Sequence, residues 1–232
     1  MSLLQFTRVM NMAIGDNAVM SYRIAKNALS LRERFDTVAQ TPEVYLNFYG
    51  GIAWRFEPFQ VCSDYLWRGF ETGLSTGNTH AAWLCALQST TLSIISGANL
   101  KSVLNKIDYY LHLSKTFNIT IGKNLLLVYR ETVSILIDKG EATSIEAKPT
   151  FGDINDPENK LRDVYYRHEA IRAFWSGYTE RCQHCSRKIV TMKQLDSRFI
   201  RYNLEFYYAL NSVDKWRGYN SGEVEFRKSE CR

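Results

Sequence analysis

The chain has 232 residues, carries a formal net charge of +5, and is 45% hydrophobic, 13% aromatic and 23% charged. This composition is typical of a globular protein with a sizeable core, and it excludes a disordered chain. The longest apolar runs, such as residues 125–129, are far shorter than the ~18–20 residues that cross a bilayer, so no membrane span is expected.

The positive charge is unevenly distributed, because the excess lies in residues 161–232 and the rest of the chain is balanced. A nucleic-acid-binding protein usually carries a denser basic stripe, so we interpret this excess as a solvated basic face. The five cysteines are odd in number and scattered, and the N-terminal residues lack the pattern of a secretory signal. We therefore expect reduced thiols and a cytoplasmic location.

Apolar residues recur with a helical period along most of the chain. Asn78 or Thr79 is expected to cap one helix at its N-terminus and Asn99 the next, Gly97 is expected to end one, and Gly50-Gly51 should weaken and bend another. The pattern predicts helices at residues 16–35, 42–54, 58–75, 79–96, 100–116, 119–139, 159–176, 178–193 and 197–213.

The spacing of these helices indicates the fold class. Joints of two to four residues in the middle of the chain force neighbouring helices to lie antiparallel. Helix pairs begin near residues 58 and 100, a spacing of about 42 residues that falls within the range of helical solenoid repeats. The sequence therefore predicts an all-α fold, a tetratricopeptide-like α-solenoid over residues 1–214. It also predicts a polar loop near 140–158 and a disordered tail at 215–232.

Three segments of the chain resemble successive stretches of a known protein family. They are YGGIAWRFEP at residues 49–58, GFETGLSTGN at 69–78, and the small-residue helix AAWLCA at 81–86. They resemble the tetratricopeptide-like helical region of large signalling proteins that join a kinase-like domain, an AAA-type ATPase and histidine-kinase or cyclase domains. Weaker matches at 28–35 and 199–210 extend the resemblance to about 16–212. The chain departs from the pattern at Arg55, where lysine is usual, and at Asn78, where aspartate is usual.

The resemblance implies a helical interaction module without the family's catalytic domains. The positions that match the pattern are expected to act as a structural signature in which tryptophans lock one hairpin onto the next. They are Trp54, Glu57, Pro58, Gly73, Gly77 and Trp83.

No motif for nucleotide chemistry is present. Gly122-Lys123 is followed by Asn124 instead of serine or threonine, and Phe117 stands where a phosphate loop has its first glycine. The backbone there cannot wrap a phosphate, so no cofactor is expected. His168-Glu169 lacks the second histidine of a zinc protease, and no catalytic residue is predicted.

Cys182 and Cys185 have the spacing of a zinc-ligand pair, but a closed zinc site needs four ligands and no second pair follows. We interpret both as core cysteines on one face of a helix, with a redox or metal site as the alternative.

The aromatic residues of the C-terminal third alternate with arginines. The aromatic groups Tyr165-Tyr166, Phe174-Trp175 and Phe206-Tyr207-Tyr208 are interleaved with Arg162, Arg167, Arg172 and Arg201. This allows a base-stacking platform or, as we favour, core packing.

The sequence predicts a non-catalytic module that binds protein or peptide, or that couples neighbouring domains in signal transduction. One alternative is a regulatory fragment of a nucleotide-dependent signalling enzyme whose catalytic domains are absent here. A further alternative is a helical array that binds nucleic acid.

Overall fold

The computed structural model describes residues 18–34, 38–119, 122–137 and 162–190, together with Ala209. Within these ranges the chain is all-helical and neighbouring helices pack against each other. The α-helices are α1 (Ala18–Arg34), α2 (Thr41–Tyr45), α3 (Phe59–Thr76), α4 (Thr79–Ile95), α5 (Leu100–Thr116), α6 (Lys123–Ile137), α7 (Arg162–Trp175) and α8 (Thr179–Val190). None of these described helices combines the length and apolarity that a bilayer crossing requires.

The chain forms two compact units, Met1–Leu126 and Leu127–Arg232, and the division falls inside α6. The first unit contains α1 to α5, and the second contains the α7–α8 hairpin and most of α6. The single array predicted over 1–214 stays a prediction. The predicted loop at 140–158, the helix at 197–213 apart from Ala209, and the tail at 215–232 lie outside the described residues.

The central helices begin and end where their capping residues predict. The side chain of Asn78 accepts a hydrogen bond from the backbone N–H of Ala81, and that of Asn99 accepts one from Ser102. Gly97 follows α4 with φ 72°, the left-handed conformation that ends many helices. The boundaries of α3, α4 and α5 therefore follow from local chemistry.

The helix predicted over 42–54, weakened and bent at Gly50-Gly51, is not one continuous α-helix. Residues Leu46–Gly50 form a π-helical turn, and Ala53–Arg55 form a separate 3-10 turn. The π turn contacts α1, α3 and α4, which explains why Asn47, Phe48 and Tyr49 are all buried although they are consecutive. Packing on several sides and the flexible Gly50-Gly51 pair together override regular α-helical hydrogen bonding.

The start of α6 also differs from the prediction of residue 119. Asn118 and Gly122 both have positive φ, 51° and 73°, and the helix begins only after them. Gly122 lies directly against Leu87, and a Cβ at this position would approach the Leu87 Cδ1 atom to 2.5 Å. The glycine is therefore required by packing and backbone conformation rather than by a phosphate.

Helices α3 and α4 approach each other closely because small residues face each other. A Cβ built on Gly73 would lie 2.7 Å from the Cβ of Ala82. In the same hairpin, the Ser63 hydroxyl lies 3.0 Å from the Ser89 hydroxyl and 2.8 Å from that of Ser93. Polar groups buried by the close approach thus satisfy each other.

We expect Gly73→Ala to destabilise the first unit by about 1–3 kcal/mol, the usual cost of overpacking. Ala82→Gly removes the opposing methyl group, so the double variant should recover part of this loss, which makes the two changes non-additive. Urea unfolding of the two single variants and the double variant measures the coupling. Strict additivity would show that the two positions do not touch.

Candidate functional site

Two of the signature residues hold the N-terminal part of the first unit together. The Glu57 carboxylate accepts a hydrogen bond from the Tyr22 hydroxyl and lies 3.6 Å from the Lys26 ammonium. The Tyr22 ring also packs 4.5 Å from the ring of Phe56, between centroids. Pro58 then occupies the N-cap position of α3. These contacts attach α1 to the segment that precedes α3.

The two signature tryptophans differ in burial. Trp83 on α4 is only 1% exposed. Trp54 is half-buried in its 3-10 turn, and the Arg55 guanidinium lies 5.0 Å from its ring centroid. Of the two, only Trp83 is placed as a core residue between helices.

Trp83 belongs to a group of five aromatic residues that we call the aromatic junction, which joins α3, α4 and α5. The Phe70 ring lies 4.8 Å from that of Tyr110 and 5.7 Å from that of Trp83, both in edge-to-face geometry. The Trp67 ring lies 5.7 Å from Tyr110 and 5.9 Å from Tyr109. Such pairs prefer edge-to-face or tilted contacts at these separations, so the junction fixes α5 against both helices of the preceding hairpin.

The aromatic junction is closed on one side and open on the other. Phe70, Trp83 and Tyr110 are buried, whereas Trp67 is half-buried and Tyr109 is 46% exposed. Burial raises the pKa of the Tyr110 phenol, and the nearby charge of Glu71 raises it further. The junction therefore reaches the surface through Trp67 and Tyr109.

A second tyrosine cluster packs the other side of α3. The rings of Tyr49 and Tyr65 are parallel and 4.2 Å apart, and Tyr45 contacts both rings edge-on. Burial raises the pKa of Tyr49, so its phenol stays neutral. This cluster holds α2 and the π turn against α3.

The second unit contains a chain of alternating charges across α6, α7 and α8. Arg172 lies 3.5 Å from Glu131 on α6 and also contacts Glu169 one turn before it on α7. The Glu169 carboxylate in turn pairs with Arg181 on α8. The centre is nearly dry, with the Glu169 side chain 9% and Arg172 15% exposed, whereas Arg181 is 62% exposed. Burial lowers the pKa of Arg172 from its ordinary value.

Next to this network, His168 is buried against α6. Its Nδ1 atom lies 3.0 Å from the Thr132 hydroxyl, and its ring centroid lies 4.8 Å from that of Tyr129. The Nε2 atom has no hydrogen-bond partner. Burial and the positive charges of Arg167 and Arg172 lower the pKa of His168 well below its ordinary value. The imidazole is therefore neutral in the folded chain.

This histidine predicts a loss of stability in mild acid. Below pH ~6.5 the unfolded chain binds a proton at His168 that the folded chain cannot accept. The free energy of unfolding should therefore fall as pH drops, by up to about 1.4 kcal/mol per pH unit from this group. Urea unfolding between pH ~7.5 and ~5.5 measures the slope. His168→Gln should flatten it, while His184→Gln on the exposed face of α8 should leave it unchanged. If both variants show the same slope of unfolding free energy against pH, other groups cause the pH dependence.

Cys182 and Cys185 lie on α8, 0% and 4% exposed. Cys185 belongs to a buried cluster with Tyr166, Ala170 and Ile189, which matches the prediction of core packing. Burial raises the pKa of both thiols, so neither is a ready thiolate. Within the part of the chain that the structure describes, no three His, Cys, Asp or Glu side chains are grouped as metal ligands.

The aromatic and arginine residues of α7 are divided between core and surface. Tyr166 and Arg167 are buried, and Arg172 is engaged in ion pairs. Trp175 and Tyr178, on either side of the turn to α8, are 64% and 66% exposed. Of the four arginines of the predicted platform, Arg167 and Arg172 are thus used inside the unit, and Arg201 lies outside the described residues.

Comparison with family models, curated proteins and solved structures finds no match to this chain. Function must therefore be inferred from its own geometry.

Sequence reasoning missed two groupings. It did not identify Tyr109 and Tyr110 as partners of Trp67, although their spacing on a predicted helix next to a tryptophan-bearing helix was a usable signal. It also missed the pairing of Glu131 with Arg172, which depends on tertiary packing alone.

Proposed function

We propose that this chain is a non-catalytic, tetratricopeptide-like helical repeat module that binds protein or couples neighbouring domains in signal transduction. The observation that carries the proposal is the packing of α5 across both α3 and α4 through the aromatic junction. In solenoid proteins each repeat contacts its neighbours, and a hairpin that receives the next helix in this way is the elementary step of such a stack.

The open side of the junction supports a binding role. We call the surface of α3 and α5 around Trp67 and Tyr109 the α3–α5 face. Exposed aromatic rings on a rigid scaffold are typical of protein interfaces, where tryptophan and tyrosine contribute most of the binding energy. Neither ring is needed to close the core, because Phe70, Trp83 and Tyr110 already do so.

The resemblance to signalling proteins agrees with this role. The signature residues Glu57, Pro58, Gly73 and Trp83 hold α1, the hairpin and the aromatic junction in place. They therefore support the scaffold that presents the α3–α5 face, and a cytoplasmic signalling assembly is the setting that we propose.

A phage-displayed library of random peptides, selected on the purified chain, tests the proposal. We expect enrichment of related peptides whose binding is weakened at least several-fold by Tyr109→Ser. This change removes an exposed ring and should leave the far-ultraviolet circular dichroism unchanged. Enriched peptides that bind the variant equally well would place the binding surface elsewhere. Failure to enrich any peptide would count against an interaction module.

A further inference from the structure

The α3–α5 face already holds a cation. The Lys106 ammonium lies 5.6 Å from the centroid of the Trp67 ring, which itself lies 5.9 Å from the Tyr109 ring. The negative face of an aromatic ring attracts a cation at this distance, and tryptophan attracts it best. Lys106 and Tyr109 are three residues apart on one face of α5, and both lie within 6 Å of the Trp67 ring centroid.

Two carboxylates lie on the same side of α3 as Trp67. Asp64 precedes the tryptophan by three residues and Glu71 follows it by four, and these spacings share one helix face. Both side chains are exposed, and Asp64 accepts a hydrogen bond from Gln60 at 2.9 Å. The spacing thus places one carboxylate a turn before the tryptophan and one a turn after it on α3.

We propose that the α3–α5 face binds an arginine-bearing basic segment of a partner protein, whose guanidinium replaces Lys106 over the Trp67 ring. The inference rests on the proposed function and names the class of partner for the same surface. A guanidinium is planar, so it can stack on the tryptophan while its N–H groups bind a carboxylate in a bidentate manner.

Charge complementarity favours a basic partner over an acidic one. The helix α3 carries Asp64 and Glu71 on the side of the Trp67 ring, whereas its exposed Arg68 lies over the Tyr65 ring, 5.3 Å from the centroid. Lys106 acts as an internal competitor, since it occupies the position that the partner's cation would take. Removing it should therefore strengthen binding of a basic segment.

Fluorescence anisotropy with three labelled peptides of equal length tests this inference on the full chain. The peptides alternate glycine with arginine, with lysine or with glutamate. We expect saturable binding of the arginine peptide, weaker binding of the lysine peptide, and none of the glutamate peptide. Glu71→Gln and Asp64→Asn should each weaken the arginine peptide about two- to fivefold, which is the effect of losing one exposed ion pair.

The matched pair of lysine variants separates a specific site from general electrostatics. Lys106→Met should tighten binding of the arginine peptide about two- to fivefold. Lys115→Met makes the same change of net charge on the opposite side of α5 and should have less than half of that effect. Equal tightening by both variants, or no binding of the arginine peptide, would overturn the inference. If the random-peptide selection still enriches sequences that depend on Tyr109, the proposed function stands and only the basic partner is wrong.

Discussion

Replacing Trp83 with alanine is expected to remove about 3–5 kcal/mol of stability, the usual cost of truncating a buried tryptophan. This is a large share of the ~5–15 kcal/mol that holds a typical domain together. The side chain is 1% exposed and packs edge-on against Phe70. Its indole N–H makes no hydrogen bond, so the loss comes from packing alone. Calorimetry should show a lowered midpoint and a transition that broadens or splits, as neighbouring hairpins uncouple.

Two controls define what the Trp83 result means. Trp83→Phe keeps an aromatic ring and discards the unpaired N–H, so it should cost much less than alanine. Tyr109→Ala removes a ring of the same junction that is 46% exposed, and it should cost about 1 kcal/mol or less. If alanine at 83 is tolerated as well as alanine at 109, the aromatic junction does not hold α5 to the hairpin.

The second large effect is expected at the charge network of the second unit. Glu169→Ala should cost about 3 kcal/mol, because it removes one of the two carboxylates that pair with the nearly buried Arg172 and leaves that of Glu131 at 3.5 Å. Arg181→Met breaks the other ion pair of Glu169 but removes a side chain that is 62% exposed. Surface pairs contribute at most about 1 kcal/mol, so this variant should be nearly neutral.

Urea unfolding of both variants at neutral pH measures the difference. The double variant Glu169→Leu/Arg172→Met should recover much of the lost stability, since a buried ion pair can often be replaced by apolar residues. If Glu169→Ala is as stable as Arg181→Met, the Glu169–Arg172 pair at the centre of the network is not shielded from water. A double variant that is less stable than Glu169→Ala would show that the charges themselves stabilise the unit.

The sequence was informative where local chemistry decides the structure. Asn78, Asn99 and Gly97 mark helix ends through hydrogen bonds and backbone conformation that involve only adjacent residues, and α3 to α5 were predicted within a residue or so. The ion pair of Glu169 with Arg172, three residues apart on one helix, is also local, but it was not predicted.

The rest depends on packing between distant residues. The π turn at Leu46–Gly50 arises because three helices surround it, and the periodicity of the segment carries no trace of those neighbours. The delayed start of α6 depends on Leu87, which lies in the middle of α4. The half-buried state of Trp54 and the exposure of Tyr109 also depend on how the helices assemble. Residue type alone would predict burial for both, because both side chains are large and aromatic.

Site-specific photo-crosslinking tests the central claim, an interaction module with its binding surface on α3 and α5, most directly. Benzoylphenylalanine at position 109, in cells that express the chain, should crosslink to a discrete protein that mass spectrometry identifies and that binds the purified chain. The same probe at the exposed Lys115, six residues further along α5 and about 120° around the helix from Tyr109, should not. No crosslink from position 109, or the same products from both positions, would contradict the account.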